Sequence, residues 1–127
     1  MRCFVAALAV LMAGGVAVAQ RKPEVELLEV KARRLEDGGI VVDGRVRAAM
    51  SKPIKGLSMA FDFLSADNDP LTTQNVTVED EVLKPGQETA FHAEARNPPG
   101  AIRFRVRAID GSGKELRISN KGPFPVE

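Results

Sequence analysis

Cysteine, tryptophan, tyrosine and histidine are absent or nearly so from this chain of 127 residues: it has no Trp, no Tyr, one Cys and one His. The one cysteine, Cys3, lies in an apolar leader, so an intramolecular disulfide is excluded and the fold must be held by its apolar core. The one histidine, His92, is the single side chain that titrates near neutral pH, which leaves one candidate base for nucleophilic catalysis. Charge of one sign is missing as well. The 18 basic residues nearly equal the 17 acidic ones, which argues against bulk attraction to nucleic acid or to an anionic membrane.

The N-terminus carries the strongest local signal. Arg2 supplies a cationic start, Phe4 to Ala13 an apolar run, and Ala17-Val18-Ala19 a small-residue cleavage site, the pattern of a secretory signal peptide over residues 1–19. The run falls short of the roughly 20 apolar residues of a spanning helix and contains Gly14 and Gly15, so an uncleaved anchor is disfavoured. A lipid-modified cysteine would close the run, whereas Cys3 precedes it. Gln20 is the expected mature N-terminus, and no later segment is apolar enough to cross a bilayer, so no stable membrane insertion is expected after cleavage. The chain is thus expected in the periplasm or outside the cell, and its Ala- and Arg-rich composition points to a bacterium.

Downstream, apolar residues recur with a period of two between turn signals. Val25 to Ala32 reads as a first strand whose phase slips at Leu27-Leu28, the sign of a bulge. Asp37-Gly38-Gly39 makes a hairpin to a second strand with Ile40, Val42, Gly44, Val46 and Ala48 on one face. Leu57, Met59, Phe61 and Phe63 alternate with Ser58, Ala60, Asp62 and Leu64 in a core strand, and Gln74 to Val78 follows as a short polar edge. Leu83-Lys84-Pro85-Gly86 is a type II turn, Glu88 to Ala95 a fifth strand, and Ile102, Phe104, Val106 and Ala108 alternate with Arg103, Arg105 and Arg107 in a sixth. A last strand places Leu116 and Ile118 inward. The expected fold is therefore all-β, a seven-stranded antiparallel immunoglobulin-like or fibronectin III-like β-sandwich over residues 20–121, with a loose C-terminal tail at 122–127.

Gly44-Arg45-Val46-Arg47, Ile54 to Leu57, Phe61-Asp62-Phe63-Leu64 with an Asp-rich turn after it, Leu83-Lys84-Pro85-Gly86 and Phe91 together resemble the FxLYD family. The resemblance spans about Leu28 to Ala108 and implies a small immunoglobulin-like domain of an exported protein, with no established enzymatic activity and no transferable functional residues. Leu64 and Ser65 stand where that family usually has Tyr and Asp.

Candidate sites are few. His92 falls mid-strand on the polar face, where a surface imidazole beside Glu94 is the expected identity, and no cofactor is implied. Asp67-Asn68-Asp69 offers oxygen ligands to calcium but is also ordinary turn chemistry. Asn75-Val76-Thr77 matches a glycosylation acceptor, of consequence only in a eukaryotic cell. Arg103, Arg105 and Arg107 form the most distinctive outward feature, and strand order places Asp62, Leu64 and Arg117 on the same face. Guanidinium groups take carboxylates or phosphates in bidentate fashion, so this face is the candidate partner-binding surface, with cross-strand pairing to Asp62, Glu79 or Glu115 as the competing reading. On the other sheet Arg45 and Arg47 are expected to meet Glu94 and His92 on one side and Glu29 or Lys31 on the other.

The function these features imply is a non-catalytic exported module that binds a protein partner or serves a structural role. A small-ligand or ion-binding protein, for an anion at the Arg row or calcium at Asp67 to Asp69, is the alternative. A subunit that accepts a donated strand is a third, which the polar edge at Asn75 to Glu79 weakens for long hydrophobic pairing.

Overall fold

The computed structural model describes residues 22–96 and 99–127. The leader at 1–19 and the expected new N-terminus at Gln20 lie outside the described residues, as do Asn97 and Pro98 of the turn before the sixth expected strand.

Strand periodicity in the sequence becomes strand in the structure throughout, and the described residues contain no helix. Ten strand segments follow one another: β1 (Val25–Arg34), β2 (Ile40–Ala48), β3 (Ile54–Lys55), β4 (Ser58–Leu64), β5 (Pro70–Thr77), β6 (Val82–Leu83), β7 (Glu88–Ala95), β8 (Arg103–Ile109), β9 (Glu115–Leu116) and β10 (Phe124–Pro125). Each of the seven expected strands has a counterpart, and β3, β6 and β10 are additional two-residue segments. Pairing is antiparallel along every named strand. One sheet has the order β1-β2-β7, the other the order β10-β8-β4-β5 with β9 also against β8, and β3 pairs β6 apart from both.

Alternation decides what each sheet turns inward. Val42, Val46, Phe91 and Ala93 come from the first sheet and Met59, Phe61, Phe63, Phe104 and Val106 from the second, and all belong to one buried cluster. The rings of Phe61 and Phe91, from opposite sheets, lie 5.5 Å apart, and Phe61 meets Phe104 edge-on at 6.2 Å. The two sheets therefore share a single core, in which each buried phenylalanine contributes about 1.5–3 kcal/mol.

Turn chemistry behaves as its residues dictate. The β1–β2 register slips between Leu27 and Glu29, where the apolar phase of the sequence also slips. Gly86, with φ of 83°, occupies the third place of a turn closed by Gln87 N donating to Lys84 O at 2.9 Å, the conformation that a type II turn reserves for glycine.

Four expectations need correction. The edge strand β5 begins at Pro70 instead of Gln74, because the β-branched and polar residues Thr72 to Gln74 pair with β4 without an apolar alternation to announce them. Ile102 does not continue the inward row of β8: it is 42% exposed, and the buried residue at this corner is Ala101. Leu64, expected exposed, is 2% exposed at the end of its strand, where it stands in register between Arg103 and Pro70. The C-terminal residues are not loose. Phe124 and Pro125 pair with Phe104 and Arg103, and the Phe124 ring lies 5.5 Å from that of Phe104. Val126 N donates to Ile102 O, Glu127 N to Ala32 O and Arg34 N to Glu127 O, so this segment ties β8 of one sheet to β1 of the other.

Candidate functional site

The arginine row and Asp62 are brought together by register. Asp62 of β4 stands opposite Arg105 of β8 on one side and Thr73 of β5 on the other, and Arg107 is one step along the same face. The Asp62 carboxylate accepts from Arg107 Nε at 2.8 Å and Nη2 at 3.0 Å, a bidentate pair, and from Thr73 Oγ1 at 2.7 Å. Partial burial raises the Asp62 pKa, but the bonds from Arg107 and Thr73 outweigh it and hold the carboxyl below its ordinary value. Arg107 is thereby committed to its neighbour.

Arg103 is committed too. Its Nε donates to Asn68 Oδ1 at 3.0 Å and its Nη2 to Ala66 O at 2.7 Å, which ties it to the Ser65–Asp69 turn. The side chain of Arg105, exposed and flanked by both, makes no ion pair or hydrogen bond among the described residues. It reaches Asp62 only through the field of its charge.

Arg117 and Leu64 leave the face. Arg117 Nε donates to Lys22 O at 3.0 Å and its Nη1 lies 3.7 Å from Glu24, so it belongs to the start of β1. Leu64 is buried, as is Ala60, a methyl set in register between Arg107 and Asn75. The candidate face therefore contracts from six residues to Asp62, Arg103, Arg105 and Arg107, with Arg105 as its free cation. The sequence lists the row, but only the side-chain bonds single out its member.

Ion pairs cover the outer face of the other sheet. Arg45 donates to Glu29 at 3.0 Å and to Glu88 at 2.8 Å, and Arg47 to Glu26 at 2.9 Å. Glu29 was expected in this role, but the acid on the β7 side is Glu88 rather than Glu94, because the register sets Arg47 opposite Glu88 and Asp43 opposite His92. His92 accordingly sits between Asp43 at Nδ1 and Glu94 at Nε2, and those bonds, Asp43 first, raise its pKa above 6.5. Both ring nitrogens face carboxylates instead of a hydroxyl.

Two other places bear on catalysis and metal binding. The Asp67-Asn68-Asp69 turn closes on Ser65, whose Oγ accepts from Asp67 N and Asp69 N at 3.2 Å each, while Asn68, at a φ of 64°, uses its side chain on Arg103. Among the described residues no group of three or more His, Cys, Asp or Glu side chains is arranged to hold a metal ion. An open groove of about 760 Å³ lies at one end, walled by Ile54, Gly56, Val82 and Asp110 to Ser112. Its serine is a turn residue: Ser112 Oγ donates to Asp110 Oδ1 at 2.6 Å, and the same oxygen accepts from Lys114 N.

No protein-family model matches this chain, and no curated protein does. Solved structures do match in shape. IrmA from Escherichia coli superposes with a TM-score of 0.52 at 11% identity, over 85% of this chain and 99% of that one. Northeast Structural Genomics Consortium target SoR45 gives 0.56 at 11% identity, over 84% and 88%. A calcium binding mutant of Bacteroides uniformis beta-glucuronidase 2 gives 0.54 at 15% identity, over 76% of this chain and 14% of that larger one. At such identities the likeness is one of fold. The same arrangement of strands occurs as a whole small chain and as one part of a large one.

Proposed function

We propose that this chain is an exported immunoglobulin-like β-sandwich, of the kind the FxLYD resemblance implies, that acts as a non-catalytic protein-binding or structural module in the periplasm or at the cell surface. The strand order supports the sandwich reading: the first, second and fifth long strands form one sheet, and the third, fourth and sixth form the other, as in immunoglobulin-like and fibronectin III-like domains. The leader at 1–19 supports export. The non-catalytic reading rests on His92, whose two ring nitrogens both face carboxylates and neither a hydroxyl nor a thiol among the described residues.

One observation carries the binding reading. Arg105 is an exposed guanidinium flanked by two arginines whose donors are already engaged, so its own donors are open to a partner's carboxylate. Recovery of bound protein from native periplasm tests it, comparing the wild-type chain with Arg105→Glu and with Lys84→Glu on an exposed turn. Loss of the same partner with Arg105→Glu alone is the expected result, and equal recovery by all three removes the face from consideration. Thermal melts with inorganic phosphate and with calcium separate the ion-binding alternative, since a ligand at about 100 times its dissociation constant adds about 2.7 kcal/mol.

A further inference from the structure

The four edges of the two larger sheets are treated very differently. β1 is covered by returning chain: Val25 N donates to Arg117 O, Ser119 N to Val25 O, Leu27 N to Ser119 Oγ, and Glu127 bonds to Ala32 and Arg34. The outer side of β8 carries β9 at one end and β10 at the other, with Val106 N donating to Lys121 O between them. β7 receives Glu79 N on Ala90 O and Asp80 N on Thr89 Oγ1, and it bears Glu88, His92 and Glu94. Charges and covering chain are the ordinary means by which an edge is kept from pairing with another molecule.

β5 has neither. Its eight residues, Pro-Leu-Thr-Thr-Gln-Asn-Val-Thr, include no charged side chain, and among the described residues its backbone bonds only toward β4. The bond from Val78 N to Leu57 O sets the phase of the ladder, so Thr72, Gln74 and Val76 direct their peptide groups to β4. Thr73, Asn75 and Thr77 direct theirs outward. Thr73, Asn75 and Thr77 also share the solvent face, opposite Asp62, Ala60 and Ser58.

We infer that β5 is a self-association edge: two copies of this chain pair antiparallel through β5, joining their β10-β8-β4-β5 sheets into one continuous sheet across a twofold axis. A second copy fits this edge better than a charged partner strand does, because the strand is neutral along its whole length and meets itself without a like-charge contact. With Asn75 on the axis, Thr73 faces Thr77 of the second copy, a favoured cross-strand pair, and the three outward-turned residues of each copy exchange N–H and C=O. Polar side chains are no obstacle, since main-chain bonds supply the attraction in edge pairing. One strand pair buries less than the roughly 1,200 Å² of a standard interface, so the dimer is a concentration-dependent one.

Sedimentation velocity and amide-exchange NMR of the purified chain over a range reaching about 1 mM test this inference. The expected result is a mass that rises from monomer to dimer, with the amides of Thr73, Asn75 and Thr77 gaining protection as it does. Asn75→Pro removes an outward N–H, which an edge strand tolerates, and Asn75→Lys keeps the backbone while setting two cations face to face. Each variant is expected to weaken association at least roughly tenfold, and Lys84→Glu, on the exposed turn before β7, is expected to leave it unchanged. A monomer at every concentration overturns the inference. So does a dimer that survives both variants, or an edge that takes up an extended peptide of another sequence while the chain itself stays monomeric.

Discussion

The ring of Phe91 fills the place where a side chain on Gly44 would begin. A Cβ built at Gly44 lies 2.5 Å from Phe91 Cζ and also meets the Glu29 carbonyl oxygen. The two residues are cross-strand neighbours in β2 and β7, so the glycine lets the ring lie down across its own sheet and still reach Phe61 in the other. A methyl group at this position must displace both the ring and the β1 backbone.

Gly44→Ala is therefore expected to destabilise the fold by about 1–3 kcal/mol, the usual cost of overpacking. In a domain of this size that lowers the Tm by roughly 5–15 °C. Adding Phe91→Leu to Gly44→Ala should recover part of the loss, so that the two changes together cost less than their sum. Strict additivity in a double-mutant cycle contradicts the contact.

Asp62 gives the acid side of the stability profile. Its carboxyl is held below the ordinary value in the folded state, so its contribution is complete above the unfolded pKa of about 3.9 and disappears as pH falls through the folded value. Asp62→Asn should cost on the order of 1 kcal/mol at pH 7, discounted for the partial exposure of Arg107. The same substitution should cost much less near pH 2. Melting curves of both proteins from pH 7 to pH 2 check this, and a cost that does not vary with pH contradicts it.

His92 acts in the opposite sense. Its folded pKa lies above 6.5, so the stability it adds is fully present below about pH 6.5 and is lost as pH rises through the folded value. Because it is the one histidine, its ring protons can be followed by NMR without assignment. The titration should fall above 6.5 in the wild type and move down in Asp43→Asn more than in Glu94→Gln, since Asp43 is the larger cause.

Removal of residues 122–127 is expected to lower the Tm, because it strips Phe124 from Phe104 and unties β1 from β8. Phe124→Ala alone should cost about 1–2 kcal/mol, below the 3–5 kcal/mol of a fully buried phenylalanine because this ring is half-buried. An unchanged Tm after truncation is the outcome of a free tail.

What the sequence made legible was periodicity. The row Phe104, Val106 and Ala108 against Arg103, Arg105 and Arg107, the slip at Leu27-Leu28 and the Pro85-Gly86 turn all reappear in the structure. These are properties of neighbouring residues. The features that escaped are properties of distant ones: Phe124 finds its partner twenty residues back at Phe104, and Leu64 is buried where it stands between Arg103 and Pro70 of neighbouring strands. The site divides in the same way. Arginines 103, 105 and 107 can be read from the chain, but which of them is free depends on Asn68, Ala66 and Asp62, and hence on three-dimensional register.

Photo-crosslinking from position 103, beside Arg105 on the same face, tests the account most directly in the cells that make the protein, with Arg105 kept or changed to Glu and with position 84 on the exposed Lys84–Gly86 turn as the control. A discrete adduct with one protein, formed in the exported fraction from position 103 while Arg105 is present and absent from position 84, is the expected result. No adduct from position 103, the same adducts from both positions, or an adduct indifferent to Arg105→Glu contradicts a recognition role for this face.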